Sequence, residues 1–210
     1  RVYRGLQLQL VVYMDAAMEM LRGQYPKKEI LPGGILYYHI DDPVLESDTP
    51  LSDEEAEQAL LFALRPDGLV NSGEEIYRAM DQNFEGKSQM IPVEIKKNGE
   101  ISTARSKVAS TEEFAVITRY VEHEIRQCGE AIYAGNIAVN PYRSDIETSC
   151  TYCPYASVCG MDAKIPGYEY RQFASMKKEE VLDQMQTELA RNRGKEERSD
   201  GMDEGTAERH

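Results

Sequence analysis

The sequence predicts an α/β domain, because runs typical of helices alternate with short runs typical of strands. Residues 34–40, GILYYHI, are aromatic and β-branched and lie between a Pro-Gly-Gly turn and an Asp-Asp-Pro turn, which is typical of a buried strand. The Asn-Gly pair at 98–99 separates two extended runs, the strongest short signal for a hairpin. Capping boxes at 52–55 and 110–113 each mark the start of a helix.

The remaining elements follow from the pattern in chain order. Residues 2–22 are apolar and contain no proline, and their length favours a largely buried helix over a strand. His39, Asp41 and Asp42 could hold a metal, but we expect them to end the strand and lead into the turn at Pro43. The other expected elements are helices at about 53–64, 74–83, 111–133 and 177–191, and a short strand or extended piece at 136–142.

Composition limits the class of protein. The chain has 210 residues and a net charge of −13, so its overall field does not attract nucleic acid, and any such contact needs a local patch or a partner. No run approaches the roughly 18 apolar residues of a membrane span, and no signal peptide is evident, so we expect no membrane association and a cytoplasmic location. We expect one domain over 1–172, a charged helix over 173–192 and a disordered tail over 193–210. The chain starts at Arg1 rather than Met, inside an amphipathic segment, so we expect it to be a fragment that lacks its upstream part.

Three cysteines within ten residues predict a metal site. Cys150, Cys153 and Cys159 form a Cys-x-x-Cys-x5-Cys loop, and thiolates at this spacing suit zinc or an iron–sulfur cluster. Tyr152, Tyr155 and Val158 can shield the sulfurs from water. A closed site usually needs a fourth ligand.

The remaining cysteine, Cys128, is expected to be a small core residue. It falls at helical spacing in an apolar stripe of the 111–133 helix, and free cysteine is among the most buried residue types. The stripe consists of Phe114, Ile117, Val121, Ile125, Cys128 and Ile132. The fourth ligand would then lie outside this sequence.

Several stretches together resemble one family. They are GLQLQLVVYMDAA (5–17), GGILYYHIDDPVLE (33–46), LRPDGLVNS with AMD (64–81), IPVEIKKNGEIS (91–102), SKVASTEEF (106–114) and CTYCPYASVC (150–159). Over about residues 3–172 the chain resembles the C-terminal region of the B subunits of bacterial AddAB-type ATP-dependent helicase/deoxyribonucleases, which are RecBCD-like machines that resect double-strand DNA breaks for recombinational repair.

The resemblance implies the latter part of a PD-(D/E)xK nuclease domain with a helical extension stapled by an iron–sulfur cluster. Cys150, Cys153 and Cys159 match three of the four cysteine ligands of a [4Fe–4S] cluster, with the fourth far upstream. Gln9 and Tyr13 match the family's Gln-x-x-x-Tyr helix, whose two side chains share one face at a spacing of four.

The same resemblance implies a Mg²⁺-dependent exonuclease in which carboxylates hold the metal beside a lysine. The matching Asp and Lys would lie upstream of residues 1–8, so the fragment alone is expected not to cleave DNA. A helicase/nuclease A subunit is the implied partner, and ATP hydrolysis is implied for that partner because no Walker loop is present here.

Two other interpretations stay open. A zinc-binding interaction module without enzyme activity would use the same thiolates, although none of the three histidines lies at zinc-knuckle spacing from Cys159. A redox protein would use Cys150-x-x-Cys153, although the third cysteine six residues on is unusual for that class. Lys96, Lys97, Arg105 and Lys107 could contact phosphates, but a solvated basic patch is the simpler interpretation.

Overall fold

The computed structural model describes residues 1–38, 40, 43–47, 49–82, 84–145 and 147–203, with side chains to residue 193. The chain forms two compact units. One unit contains Gln7–Thr118, and the other contains Arg1–Leu6 together with the chain from Arg119 onward. No helix in the described part of the chain is long and apolar enough to cross a membrane.

The unit of residues 7–118 is built on a three-stranded sheet. Strand β1 (Gly34–Tyr37) pairs antiparallel with β2 (Asp67–Asn71), and β2 pairs in parallel with β3 (Val108–Ala109). The strand predicted at 34–40 is therefore confirmed in place but is shorter and only half-buried. The proposed trio His39, Asp41 and Asp42 lies outside the described residues.

The β1–β2 pair depends on a glycine. Gly68 has φ of 151°, and a Cβ atom on it would lie 2.0 Å from the carbonyl oxygen of Ile35 on the neighbouring strand. Any larger residue would push the two strands apart, since real Cβ atoms do not approach a backbone oxygen so closely.

The core of this unit lies beside β2. Seven buried side chains form one cluster: Val70, Tyr77, Phe84, Ile91, Val93, Ile95 and Val108. Several come from the segment 84–95, which has no long regular element and yet contributes much of the apolar surface. The predicted hairpin beside it is confirmed, because Ile95 and Ile101 form an antiparallel bridge around the turn at Gly99.

A buried amide ties this unit together. Asn71, at the end of β2, is 1% exposed, and its Nδ2 lies 2.8 Å from the Pro32 carbonyl and 3.0 Å from Thr111 Oγ1. Its Oδ1 accepts from the Gly73 backbone N–H at 2.9 Å, at the start of helix α3 (Glu74–Met80). One side chain thus satisfies groups on three separate segments.

The first helix differs from its prediction. Residues 2–22 do not form one buried helix: Val2–Arg4 is a 3₁₀ turn ended by Gly5 at φ 74°, and α1 runs over Gln9–Gln24. Only Val11 of α1 is buried. The left-handed conformations of Gly5 and Gln7 interrupt the apolar run, so the two parts cannot continue as one helix.

The capping boxes are confirmed. Helix α2 (Asp53–Ala63) begins at Ser52, which accepts from the Glu55 N–H while the Glu55 carboxylate accepts from the Ser52 N–H. Helix α4 (Thr111–Tyr133) begins the same way, with reciprocal bonds between Ser110 and Glu113 of 2.8 and 3.2 Å.

The predicted apolar stripe of α4 is buried only in its first half. Phe114, Ile117 and Val121 are 8% exposed or less, whereas Ile125 is 45% exposed and Ile132 is 78% exposed. The prediction that Cys128 is a core residue is wrong, because this thiol is exposed. The apolar stripe in the sequence therefore extends further along α4 than its burial by the described residues, which ends after Val121.

The second unit contains two parallel strands and two further helices. Strands β4 (Tyr142–Ser144) and β5 (Arg171–Phe173) pair along their length, and the rings of Tyr142 and Phe173 stack with centroids 5.0 Å apart. The short helix α5 (Ala156–Cys159) lies between them in sequence. The strand or extended piece expected at 136–142 thus becomes a strand only from Tyr142.

The last helix is longer than predicted. Helix α6 runs over Lys178–Asp203. Residues 193–203, which were expected to belong to the disordered tail, are therefore helical. Residues 186–200 are mostly good helix formers with many charges and no proline, which favours continuing a helix despite Gly194. Residues 204–210 lie outside the described chain.

Two tyrosines and a glutamate join α4 and α6. The Tyr3 hydroxyl donates to Glu188 Oε1 at 2.8 Å, and the Tyr120 hydroxyl lies 3.1 Å from Glu188 Oε2 and from the Tyr3 carbonyl. Burial, followed by the charges of Glu124 and Glu188, raises the pKa of Tyr120 far above its ordinary value. Burial and the hydrogen bond to Glu188 raise the pKa of Tyr3 in the same direction.

Candidate functional site

The structure brings Gln9 and Tyr13 together on the outer face of α1. Gln9 Nε2 donates to the Tyr13 hydroxyl at 2.6 Å, and Tyr13 is 58% exposed. Val11 explains this orientation: it lies about 200° around the helix from either residue and is buried, so their side chains face outward. The predicted sharing of one face is therefore observed, while the functional role of the pair stays a prediction.

An apolar cleft adjoins Tyr13. It lies between α1 and the segment leading into β1, has a volume of about 380 Å³, and is lined by residues that include Met14, Met18, Ile30 and Leu31. None of the lining residues is acidic. Tyr13 thus borders an apolar surface with its ring while its hydroxyl is oriented by Gln9.

A carboxylate set for Mg²⁺ is not found beside this pair. Within the described ranges, no three or more His, Cys, Asp or Glu side chains lie close enough together to hold a metal ion. The described residues therefore do not fit a Mg²⁺ site by themselves. The expectation that the catalytic Asp and Lys lie elsewhere in a longer chain stays a prediction.

The cysteine loop has the expected donors but not their convergence. The Cys153 N–H donates to the Cys150 carbonyl at 3.4 Å, and the Cys159 N–H donates to the Tyr155 carbonyl at 2.8 Å where α5 ends at Gly160. All three thiols are half-buried. They form no metal-holding group in the part of the chain that the structure describes, and neither does Cys128.

The predicted shield around the sulfurs is wrong. Tyr152, Tyr155 and Val158 are 95%, 68% and 84% exposed, so they cover little of the loop. Tyr152 and Tyr155 lie in the turns that precede the single-turn helix α5, and Val158 on that helix is exposed to solvent. Three thiols fit the chemistry of a cysteine-ligated cluster, but their placement is that of an open loop one donor short of four.

The basic residues near the hairpin are mostly paired. Arg105 contacts Glu94 at 2.8 Å, Lys107 contacts Asp67 at 2.6 Å, and Lys96 lies 3.8 Å from Glu100. These carboxylates cancel much of the positive charge, which favours the solvated patch over a phosphate-binding surface.

A second group of cations was not predicted from the sequence. Arg119 and Arg126 on α4 line one groove together with Arg193 on α6. Their spacing of seven on α4 places two arginines on one face, and this signal was present in the sequence. Only the structure shows that α6 supplies the third.

Comparison with known proteins identifies the family. Residues 1–160 match the PD-(D/E)XK nuclease superfamily model, a range that includes Gln9, Tyr13 and the three clustered cysteines. The chain is also similar to proteins named as the B subunit of an ATP-dependent helicase/deoxyribonuclease. It is 38% identical over 188 residues to one from Thermoanaerobacter, covering 90% of the chain and 16% of that protein.

Two further relatives with the same name agree. One from Lachnoclostridium phytofermentans is 39% identical over 213 residues, covering 97% of the chain and 18% of the relative. One from Clostridium botulinum is 39% identical over 189 residues, covering 90% of the chain and 16% of the relative. The chain thus spans less than a fifth of the length of these relatives. The expected fold family is confirmed by a match that covers residues 1–160 of the 210-residue chain: this chain belongs to the PD-(D/E)XK nuclease superfamily.

Proposed function

We propose that this chain is part of the B subunit of an ATP-dependent helicase/deoxyribonuclease that resects double-strand DNA breaks for recombinational repair. The protein would work in the bacterial cytoplasm with an A subunit that hydrolyses ATP. The observation that carries the proposal is the superfamily match over residues 1–160, which takes in the bonded pair Gln9 and Tyr13 on an exposed helix face.

The pair suits a supporting role in phosphodiester hydrolysis. Because Gln9 donates to the Tyr13 oxygen, the tyrosine keeps its own hydroxyl proton for donation to a phosphate oxygen. Gln9 retains a second amide hydrogen and a carbonyl oxygen, with which it can orient a water or a phosphate. Mg²⁺ bound by residues elsewhere in the full-length protein would neutralise phosphate charge and activate the attacking water.

The cysteine loop would supply three ligands of a [4Fe–4S] cluster, with a fourth cysteine from elsewhere in the full-length protein. Its role would be structural, since a cluster that joins distant segments restrains the unfolded chain much as a cross-link does. The open placement of Cys150, Cys153 and Cys159 means that cluster assembly would have to draw the three thiols together.

Cleavage of DNA by the full-length protein with its partner tests the nuclease role. Gln9→Ala removes a donor near the substrate and is expected to slow cleavage about 100-fold, the typical effect of losing one positioned donor in the transition state. Tyr13→Phe keeps the ring beside the apolar cleft and removes only the hydroxyl, so it should also slow cleavage while leaving the fold intact.

Gln24→Ala is the matched control, because Gln24 is also a glutamine of α1 but lies at its far end. ATP hydrolysis by the complex should be unchanged in all three variants. Cleavage at the wild-type rate by both Gln9→Ala and Tyr13→Phe would refute the assigned role of the pair.

A further inference from the structure

A groove of about 400 Å³ lies between α4 and α6 within the second unit. Arg119, His123 and Arg126 contribute from α4, and Leu189, Asn192 and Arg193 contribute from α6. At its base Asn192 Nδ2 lies 2.7 Å from His123 Nε2, and both side chains are half-buried. This contact joins the two helices, so the groove has a fixed polar base with arginines exposed around it.

The groove is cationic on an acidic chain. Three guanidinium groups line it against one carboxylate, Glu122, although the chain carries a net charge of −13. Arg126 and Arg193 form no ion pair with any described carboxylate, in contrast to Arg105 and Lys107 of the hairpin region. The guanidinium groups of Arg126 and Arg193 are therefore available to an external anion.

We infer that this groove binds the phosphodiester backbone of a DNA strand. Guanidinium groups match phosphate with two parallel hydrogen bonds, and arginine is a residue commonly used to recognise phosphate in this way. Arg119 and Arg126 lie seven residues apart, roughly 10 Å along the helix axis, which is longer than one phosphate group. Leu189 and Ala190 add apolar surface for sugar or base. These features suit a strand better than a free anion.

This inference rests on the proposed action of the protein on DNA, but it concerns a surface separate from Gln9 and Tyr13. The groove would hold the strand by its backbone and carry no sequence preference, because backbone contacts position a strand without reading its bases.

The test is the salt dependence of binding between the 210-residue chain and a fluorescein-labelled single-stranded oligonucleotide, followed by fluorescence anisotropy. Arg126→Gln and Arg193→Gln, singly and together, each remove one contact, so the slope of log affinity against log salt should fall by about 0.7 per variant and about 1.4 for the pair. Arg105→Gln is the control, because that arginine is already paired with Glu94.

The expected result is weaker binding of several sequences to the same extent in the groove variants, with wild-type binding by Arg105→Gln. Unchanged affinity and slope in the double variant would overturn the groove assignment while leaving the nuclease proposal intact. Failure of the wild-type chain to bind DNA at low salt would also overturn it. Equal competition by inorganic phosphate at matched ionic strength would show a small-anion site and refute strand binding.

Discussion

Replacing Asn71 with alanine should lower the free energy of unfolding of the unit of residues 7–118. The decrease should be larger than the small volume of the lost side chain suggests. The side chain is almost fully buried and makes three hydrogen bonds, to the Pro32 carbonyl, the Gly73 N–H and the Thr111 hydroxyl. Alanine removes all three and leaves the buried Pro32 carbonyl and the partly buried Gly73 N–H without their partners. Buried polar groups without partners are costly, so the effect exceeds that of an ordinary surface change.

The magnitude follows from those three bonds. At about 1 kcal/mol net for each, the free energy of unfolding should fall by about 3 kcal/mol. Asn71→Asp is a sharper variant, because it keeps the acceptor for Gly73 but places a carboxylate oxygen against the Pro32 carbonyl. It should destabilise at least as much, since it also buries a charge.

Urea denaturation followed by far-UV circular dichroism measures the effect, since the chain has no tryptophan. Asn98→Ala is the control: Asn98 also makes side-chain hydrogen bonds, to Glu100, but it is exposed, so the change should stay within about 0.5 kcal/mol. The reasoning is refuted if Asn71→Ala lowers the free energy of unfolding no more than Asn98→Ala does, with the same dependence on urea concentration in both variants.

Three further predictions concern local features. Neutral Tyr120 is favoured in the folded state, so stability should be full below about pH 10 and fall above it; Tyr120→Phe should flatten that decline in alkaline unfolding curves. Gly68→Ala should lower the free energy of unfolding, measured by thermal unfolding, by about 3 kcal/mol or more, because the added Cβ would meet the Ile35 carbonyl on the neighbouring strand. Gly23→Ala on α1 is the control: the position has open space, so the change should raise the free energy of unfolding by up to about 1 kcal/mol. Equal effects of the two substitutions would contradict the strand geometry. Ser110→Ala should cost about 1 kcal/mol through loss of the α4 cap, and no change in Tm would show that the cap contributes nothing.

Local signals in the sequence predicted local structure well. The boxes at 52–55 and 110–113 and the turn at Gly99 depend on bonds between residues at most a few positions apart, so the sequence contains both partners. The spacing of Gln9 and Tyr13 likewise fixes their shared face, because helix geometry alone determines it.

Burial and long-range pairing were less predictable. Strands β2 and β3 are short, and β2 begins with Asp-Gly, so neither has the β-branched alternation that marks a strand; they exist because each pairs with a partner distant in sequence. The apolar spacing along α4 did not predict that burial of this stripe would end after Val121 and leave Cys128 exposed. Periodicity shows which face is apolar, but tertiary contacts determine how much of it is buried.

The site divides in the same way. Three cysteines within ten residues give the donor set, but side-chain convergence depends on elements outside the loop and on the metal itself. The groove between α4 and α6 combines residues about 70 positions apart, and the sequence contained no signal for that pairing.

Metal analysis of the full-length protein, purified without oxygen, tests the proposed iron–sulfur cluster against the zinc module most directly. Iron, acid-labile sulfide and zinc would be measured together with the visible absorption spectrum. The account predicts about four irons and four sulfides per full-length chain, as a cubane held by four cysteines requires, and their loss when Cys150, Cys153 or Cys159 is replaced by alanine. One zinc without sulfide would contradict the account and favour a zinc-binding interaction module.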